Sequence, residues 1–177
     1  MKPICALLLP AALLCAAPED ERRLEPGHAP TPYTAAQIRE GCPQGRKAVY
    51  LVEAPGREAV RQTMRFLKCD AEGADLEVSR AKADGTAIGE PVTRRGTWKE
   101  FQAHGSFPEA ATKVTEEALE TPAGKFDCWL YTVTEEEEGS KSVQRYWFAK
   151  KLPGPPVRMT TEIDGKVVST MTLVENK

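Results

Sequence analysis

From Lys47 onward the chain alternates apolar and polar residues with a period of two, the signature of half-buried strands rather than helices. Lys47–Glu53 (KAVYLVE) and Val60–Cys69 (VRQTMRFLKC) flank Ala54-Pro55-Gly56, which reads as the turn of a hairpin. In a simple hairpin centred there, residues whose numbers sum to about 112 lie opposite one another. Ala74–Ala83 and Thr86–Val92 flank Asp84-Gly85, a strong two-residue hairpin signal. Further strands are predicted over 113–120, 125–134, 143–149, 156–163 and 166–174, the last two joined by Asp164-Gly165. Glu135–Ser140 reads as a solvated loop between strands. In 125–134, Phe126, Cys128 and Leu130 alternate with Trp129, Tyr131 and Val133, so both faces are apolar and the strand should be covered on both sides.

Two stretches break the pattern. Thr34-Ala-Ala-Gln37 is a capping box, with Ile38 on an inner face and Gly41 placed to end a short helix. In Gly96–His104, Thr97 can cap, Glu100 follows three residues later, and Trp98 and Phe101 share a face; Gly105 stops the helix. No long crossover helix separates the strands, so a parallel sheet is excluded. The expected fold class is mainly β (α+β), a single twisted antiparallel sheet or open half-barrel of eight or nine strands with two short helices.

The N-terminus is different in kind. Lys2 precedes an apolar run, Ile4–Leu14, then Cys15, Ala16 and Ala17, then the polar Pro18-Glu19-Asp20. This is the layout of an export signal, and the run falls short of the ~20 residues a membrane span requires. Cleavage after Ala16 or Ala17 gives secretion; lipid attachment at Cys15 is the alternative, with Leu14 in place of the small residue expected before a lipidated cysteine. Residues 18–33 (PEDERRLEPGHAPTPY) carry charges, prolines and a lone histidine, His28, and read as a flexible tether. The expected organisation is therefore 1–17 signal peptide, 18–33 tether and 34–177 one antiparallel β domain. The location is the periplasm or cell envelope of a bacterium.

Charge narrows the partners. The formal net charge is −2 across 177 residues, and no long basic run occurs, so nucleic acid is excluded as a partner. A membrane would be touched only through a lipid on Cys15. Three cysteines lie beyond the leader: Cys42, Cys69 and Cys128. Cys42 and Cys69 sum to 111 and fall opposite each other near the hairpin end, within reach of a disulfide in an oxidising compartment, with two free thiols as the alternative.

Catalytic and metal sets are missing from the sequence. There are two histidines, His28 and His104; no Gly-x-Ser-x-Gly elbow, Cys-x-x-Cys or His-x-x-x-His occurs. Cys128 in a central strand reads as a small core residue, and His104 as a structural helix end. No catalytic residue, metal or cofactor is expected, and the chain reads as a non-enzyme. A carboxylate-dependent hydrolase is a third reading only because acids are abundant. The candidate ligand-facing residues are instead aromatic: Trp98, Phe101, Trp129, Tyr131, Tyr146, Trp147 and Phe148. A concave sheet with a helix over its mouth can hold an apolar ligand between such side chains.

The stretch Thr121–Val174 (TPAGKFDCWLYTV, RYWFAKKLPGPPVRM, TEIDGKVVSTMTLVE) resembles a pattern of uncharacterised bacterial envelope protein families. It consists of a P-x-G-x-F-x-C strand, a YWF strand, a P-G-x-P-V kink and a closing hairpin. These families are similar to the periplasmic lipoprotein-carrier fold, an open half-barrel closed by helices. The resemblance implies an apolar ligand, a lipid above all, or an envelope protein as partner. It carries no catalytic motif, and the carrier's long lid helices have no counterpart here. A structural or protein-interaction module tethered to the envelope is the competing reading. Pro153, Pro155 and Pro156 cannot donate to a ladder, so the kink reads as a stiff connector between strands, with the aromatics before it left to face any ligand.

Overall fold

The computed structural model describes residues 19–177; the predicted leader and Cys15 lie outside the described residues. Nine strands form one sheet: β1 (Lys47–Glu53), β2 (Val60–Cys69), β3 (Gly73–Lys82), β4 (Val92–Thr97), β5 (Thr112–Thr121), β6 (Gly124–Glu137), β7 (Ser140–Ala149), β8 (Arg158–Ile163) and β9 (Lys166–Asn176). Their spatial order is β4-β3-β2-β1-β9-β8-β7-β6-β5, every pair antiparallel. The two halves of the chain are therefore meanders that meet where β1 pairs with β9. Strands β4 and β5 form the two edges, and they do not pair with each other. The result is the open, half-barrel-like sheet expected from the period-two pattern.

Register follows the predicted hairpin. Lys47 opposes Arg65 and Val52 opposes Val60 across β1 and β2. The tight turns between β6 and β7 and between β8 and β9 have positive φ at both central residues, Glu138 (49°) and Gly139 (83°), Asp164 (49°) and Gly165 (76°). This is the conformation that matches strand twist in two-residue hairpins. It lets β6 and β7 run to Glu137 and Ser140, so four of the residues expected as a loop are strand.

Two short helices punctuate the sheet. Helix α2 (Ala35–Gly41) is capped by Thr34 and Gln37, and helix α3 (Trp98–Ala103) by Thr97 and Glu100, each through a reciprocal capping box. Each such cap contributes roughly 1 kcal/mol. One expectation shifts here: the partner of β3 is Val92–Thr97, not 86–92. The Asp84-Gly85 turn forms, but beyond it only the isolated Ala81↔Ala87 bridge is made. Pro91 lacks an N–H, and regular pairing resumes only at Val92↔Val78.

The stretch expected to be a flexible tether packs onto the fold. It contains helix α1 (Glu19–Arg22), and Ala29, Thr31 and Tyr33 are buried. Backbone bonds run from Ala29 N–H to the Phe107 carbonyl at 2.9 Å and from Thr31 N–H to the Arg22 carbonyl at 2.7 Å. His28 is not solvated alone: its Nδ1 lies 2.9 Å from Ser106 Oγ. Composition misled because proline and charge are common to tethers and to surface-hugging segments. What orders this one is the burial of Tyr33, roughly 1.5–3 kcal/mol of transfer energy for such a side chain.

Two apolar clusters result. One gathers Tyr33, Ile38, Phe66, Trp98, Tyr131 and Phe148; the other gathers Tyr50, Trp147, Val157 and Leu173 with Ala48, Cys128 and Ala149. The bridge anticipated between Cys42 and Cys69 is absent, and both are free thiols, as is Cys128. The two sulfurs address different groups. Cys69 Sγ lies 3.6 Å from the Cys42 carbonyl, whereas Cys42 Sγ receives a bond from Arg46 Nη1 at 3.0 Å. Cys42 belongs to the C-cap of α2 rather than to an extension of β1, so the simple hairpin count does not reach it.

Candidate functional site

Alternation places Tyr146 and Phe148 on one face of β7. Register puts Tyr146 opposite Tyr131 and Met159, and Phe148 opposite Trp129. Across the β1/β9 seam, Met64, Phe66 and Leu76 continue the apolar surface through the pairs Met64↔Val78 and Phe66↔Leu76. Helices α2 and α3 pack over it and supply Ile38, Phe101 and Gln102. Between helices and sheet lies a cavity of about 360 Å³, within the range of small-ligand pockets but toward its lower end. Its walls are formed by three methionines (Met64, Met159, Met171), by Phe66, Phe101, Tyr146 and Phe148, and by the connector residues Gly154, Pro155 and Pro156. Unbranched methionine side chains adapt to irregular apolar contents, so this wall can accommodate more than one ligand shape.

The helix lid is held from beneath. Trp98 stacks on Phe66 with ring centroids 6.4 Å apart, and Phe101 meets Phe66 edge-on at 6.0 Å. Trp98 Nε1 donates to the Asp70 carbonyl at 2.9 Å, which satisfies its one polar atom without turning it toward the cavity. Gln102, buried at 4% exposure, ties three segments together. Its Nε2 donates to the Glu21 carbonyl and to Thr31 Oγ1, and its Oε1 accepts from Ala35 N–H at 2.9 Å. The residue gave no signal in the sequence, where it reads as one polar side chain on a short helix.

The seven candidate residues are divided by the structure. Phe101, Tyr146 and Phe148 line the cavity. Trp98, Trp129 and Tyr131 pack behind it in the same cluster: Trp129 meets Tyr33 edge-on at 5.9 Å, and Tyr131 donates to the Pro30 carbonyl at 2.7 Å. Trp147 is on the opposite face of β7, in the second cluster, with the Arg158 guanidinium 5.6 Å above its ring. Pairing Trp147↔Arg158 and alternation explain the split. The proline-rich connector also forms a wall of the cavity, through Gly154, Pro155 and Pro156.

Buried hydroxyls and thiols around the site are held in their neutral forms. Burial raises Tyr131 to about 12 and Cys128 to about 11. It also raises Tyr33, with the Ala149 carbonyl accepting its hydroxyl at 2.6 Å. His104, the helix-end histidine, lines the cavity and tilts against Phe101 at 6.4 Å. Among the described residues no group of three His, Cys, Asp or Glu side chains is placed to hold a metal ion. No described helix is long and apolar enough to cross a membrane.

Residues 94–172, from β4 into β9, match the sequence profile of a family of proteins of unknown function, DUF3108. No curated protein matches the chain in sequence. Solved structures share the fold at low identity. A candidate lipoprotein from Parabacteroides distasonis superposes with a TM-score of 0.53 at 12% identity, over 77% of this chain and 96% of that one. A candidate exported protein with a YmcC-like fold from Bacteroides fragilis gives 0.52 at 13%, over 76% and 96%. MucB, solved in complex with the periplasmic part of MucA, gives 0.55 at 8% identity, over 81% of this chain and 53% of its own.

Proposed function

We propose that the protein is an exported, non-catalytic envelope protein whose half-barrel holds a small apolar ligand, such as a lipid acyl chain, between the sheet and helices α2 and α3. The observation that carries this reading is the cavity of about 360 Å³ with methionine and aromatic walls. A sheet that served only as a scaffold would fill this space with its own side chains, because protein interiors pack to near-crystalline density. Export rests on the N-terminal leader, and Cys15 is the proposed attachment point for a lipid anchor. The fold neighbours described as exported or as a lipoprotein agree with that location.

The test is native mass spectrometry of protein purified without detergent, paired with titration by N-phenylnaphthylamine, an apolar fluorescent probe. Saturable binding by the wild type, lost in Met171→Trp with the fold retained, supports the reading. A protein that is always empty and indifferent to the probe overturns it. Metabolic labelling with a fatty acid, comparing wild type with Cys15→Ser, decides between anchor and free secretion.

A second reading, a protein-interaction module, is favoured by one comparison: MucB shares this fold and was solved bound to a partner protein. It predicts stable capture of an envelope protein that Met171→Trp leaves unaffected.

A further inference from the structure

Leu76 stands at the boundary of the cavity. That side chain also belongs to the wall of a neighbouring open depression of about 420 Å³ between β3, β4 and the loop joining them. Its floor is Val78, Ile88 and Val92, and Ile88 and Val92 are 39% and 53% exposed. Exposed β-branched residues beside an apolar cavity, with only Leu76 between, offer a ligand an apolar approach to it. The polar groups at this mouth are two arginines and one acid. Arg94 lies directly opposite Leu76, and Arg80 opposite Gln62, on the same face of the sheet. Arg80 Nε donates to Gln62 Oε1 at 3.3 Å, and neither arginine makes an ion pair among the described residues. Glu90 shares the depression and pairs with neither arginine. Neighbouring cations do find partners: Arg95 on β4 pairs with Asp70 and Asp75, and near the other edge Lys125 pairs with Glu120 and Lys150 with Glu116.

We infer that the ligand of the proposed cavity is a single-chain anionic amphiphile. Its tail enters past Leu76 toward Phe66 and Phe101, and its carboxylate or phosphate head is met by Arg80 and Arg94. From Leu76 to Arg80 the strand advances ~13 Å, while Arg94 stands at the level of Leu76, so the two long side chains bracket Val78 and Val92 and must reach toward each other to meet one head group. Guanidinium forks suit both head groups, because each offers parallel donors to paired oxygens. Position and chemistry therefore agree: apolar floor inside, arginines without ion pairs at the rim, and no arginine or lysine among the residues lining the cavity. The inference rests on the apolar-ligand reading above and names its class.

Myristate, monomyristoyl phosphate, myristyl alcohol and myristyl trimethylammonium would be titrated by displacement of N-phenylnaphthylamine, each against wild type and the double variant Arg80→Gln/Arg94→Gln. Both arginines are exposed, so the double variant keeps the fold, which circular dichroism checks. The expected result is that wild type prefers the anions to the alcohol by about tenfold, with the cation weakest. In the double variant that preference disappears while alcohol affinity is unchanged, and in wild type added salt erodes it, as screening of exposed charges requires. A stronger hold on the phosphate than on the carboxylate points to a phospholipid source, and the reverse to a fatty acid. Equal binding of anion and alcohol by wild type overturns the head-group assignment and leaves the apolar cavity standing. Failure of every chain to displace the probe overturns both.

Discussion

The Arg46 guanidinium, buried at 7% exposure, donates to the Pro153 carbonyl at 2.6 Å. That bond joins the start of β1 to a connector 107 residues later, and it is one of four. Nη1 also reaches the Gly41 carbonyl at 2.7 Å and Cys42 Sγ at 3.0 Å, and Nε reaches Asn176 Oδ1 at 3.1 Å. No carboxylate is among these partners. The charge is met by the Gly41 carbonyl at the C-terminus of α2, where a cation is electrostatically favoured, and by the Pro153 carbonyl of the connector. Arg46 thus fixes the proline-rich wall of the cavity against the helix that covers it.

Arg46→Met should be destabilising by about 3 kcal/mol, since hydrogen bonds from a charged group contribute roughly 1.5–3 kcal/mol each and the stranded carbonyls add their own desolvation. Urea denaturation measures it. A change under 1 kcal/mol would mean that water replaces the guanidinium at no penalty.

Gly154 has φ +129°, and a Cβ added there would sit 2.9 Å from both Arg46 Nη1 and Cys42 Sγ. Gly139, at the β6–β7 turn, also has positive φ (83°) but open space around it. Gly154→Ala should therefore destabilise by roughly 2–4 kcal/mol, and Gly139→Ala by only about 1 kcal/mol, the conformational part alone. Paired thermal melts give the comparison; equal shifts would show that packing at Gly154 contributes nothing.

Alkaline pH should unfold the protein through its buried tyrosines. Desolvation raises Tyr131 to about 12 and moves Tyr33 and Tyr50 in the same direction. An unfolded tyrosine ionises near pH 10, so above that pH the unfolded chain releases protons that the folded chain retains. Stability is full below about pH 10 and falls as the pH rises toward 12. Tyr131→Phe removes the bond to the Pro30 carbonyl and lowers stability at neutral pH, but it flattens this alkaline limb. Urea midpoints at pH 7, 10 and 11 for both proteins test the sign.

The three thiols should react in an order set by exposure. Cys42 and Cys128 are fully buried and Cys69 is partly exposed, so Cys69 is alkylated first in native protein. Its reaction is slow at neutral pH, because desolvation, followed by the Asp70 charge, raises its pKa and keeps the thiolate scarce. Peptide mapping without reductant reads this directly. Recovery of a Cys42–Cys69 linked peptide would contradict the free thiols.

Much of the architecture was written locally. Period-two alternation, the Asp164-Gly165 turn and the two capping boxes each depend on residues a few positions apart, and all of them formed as the chain suggests. The aromatic triplet Tyr146-Trp147-Phe148 likewise divided between two faces, because alternation on a strand is a local property. Three features depended on partners far away in the chain. Residues 29–33 became part of the core only because Tyr33 finds the Ala149 carbonyl and the rings of Trp129 and Phe148. Cys42 turned to Arg46 rather than Cys69 because α2 ends there. And the cavity exists because β1 pairs with β9, which brings Met64 and Phe66 to the same hollow as Tyr146 and Met159. Periodicity determines which face a side chain takes. Only the closure of distant strands and helices decides what that face meets, since packing partners are set by topology rather than by neighbours in sequence.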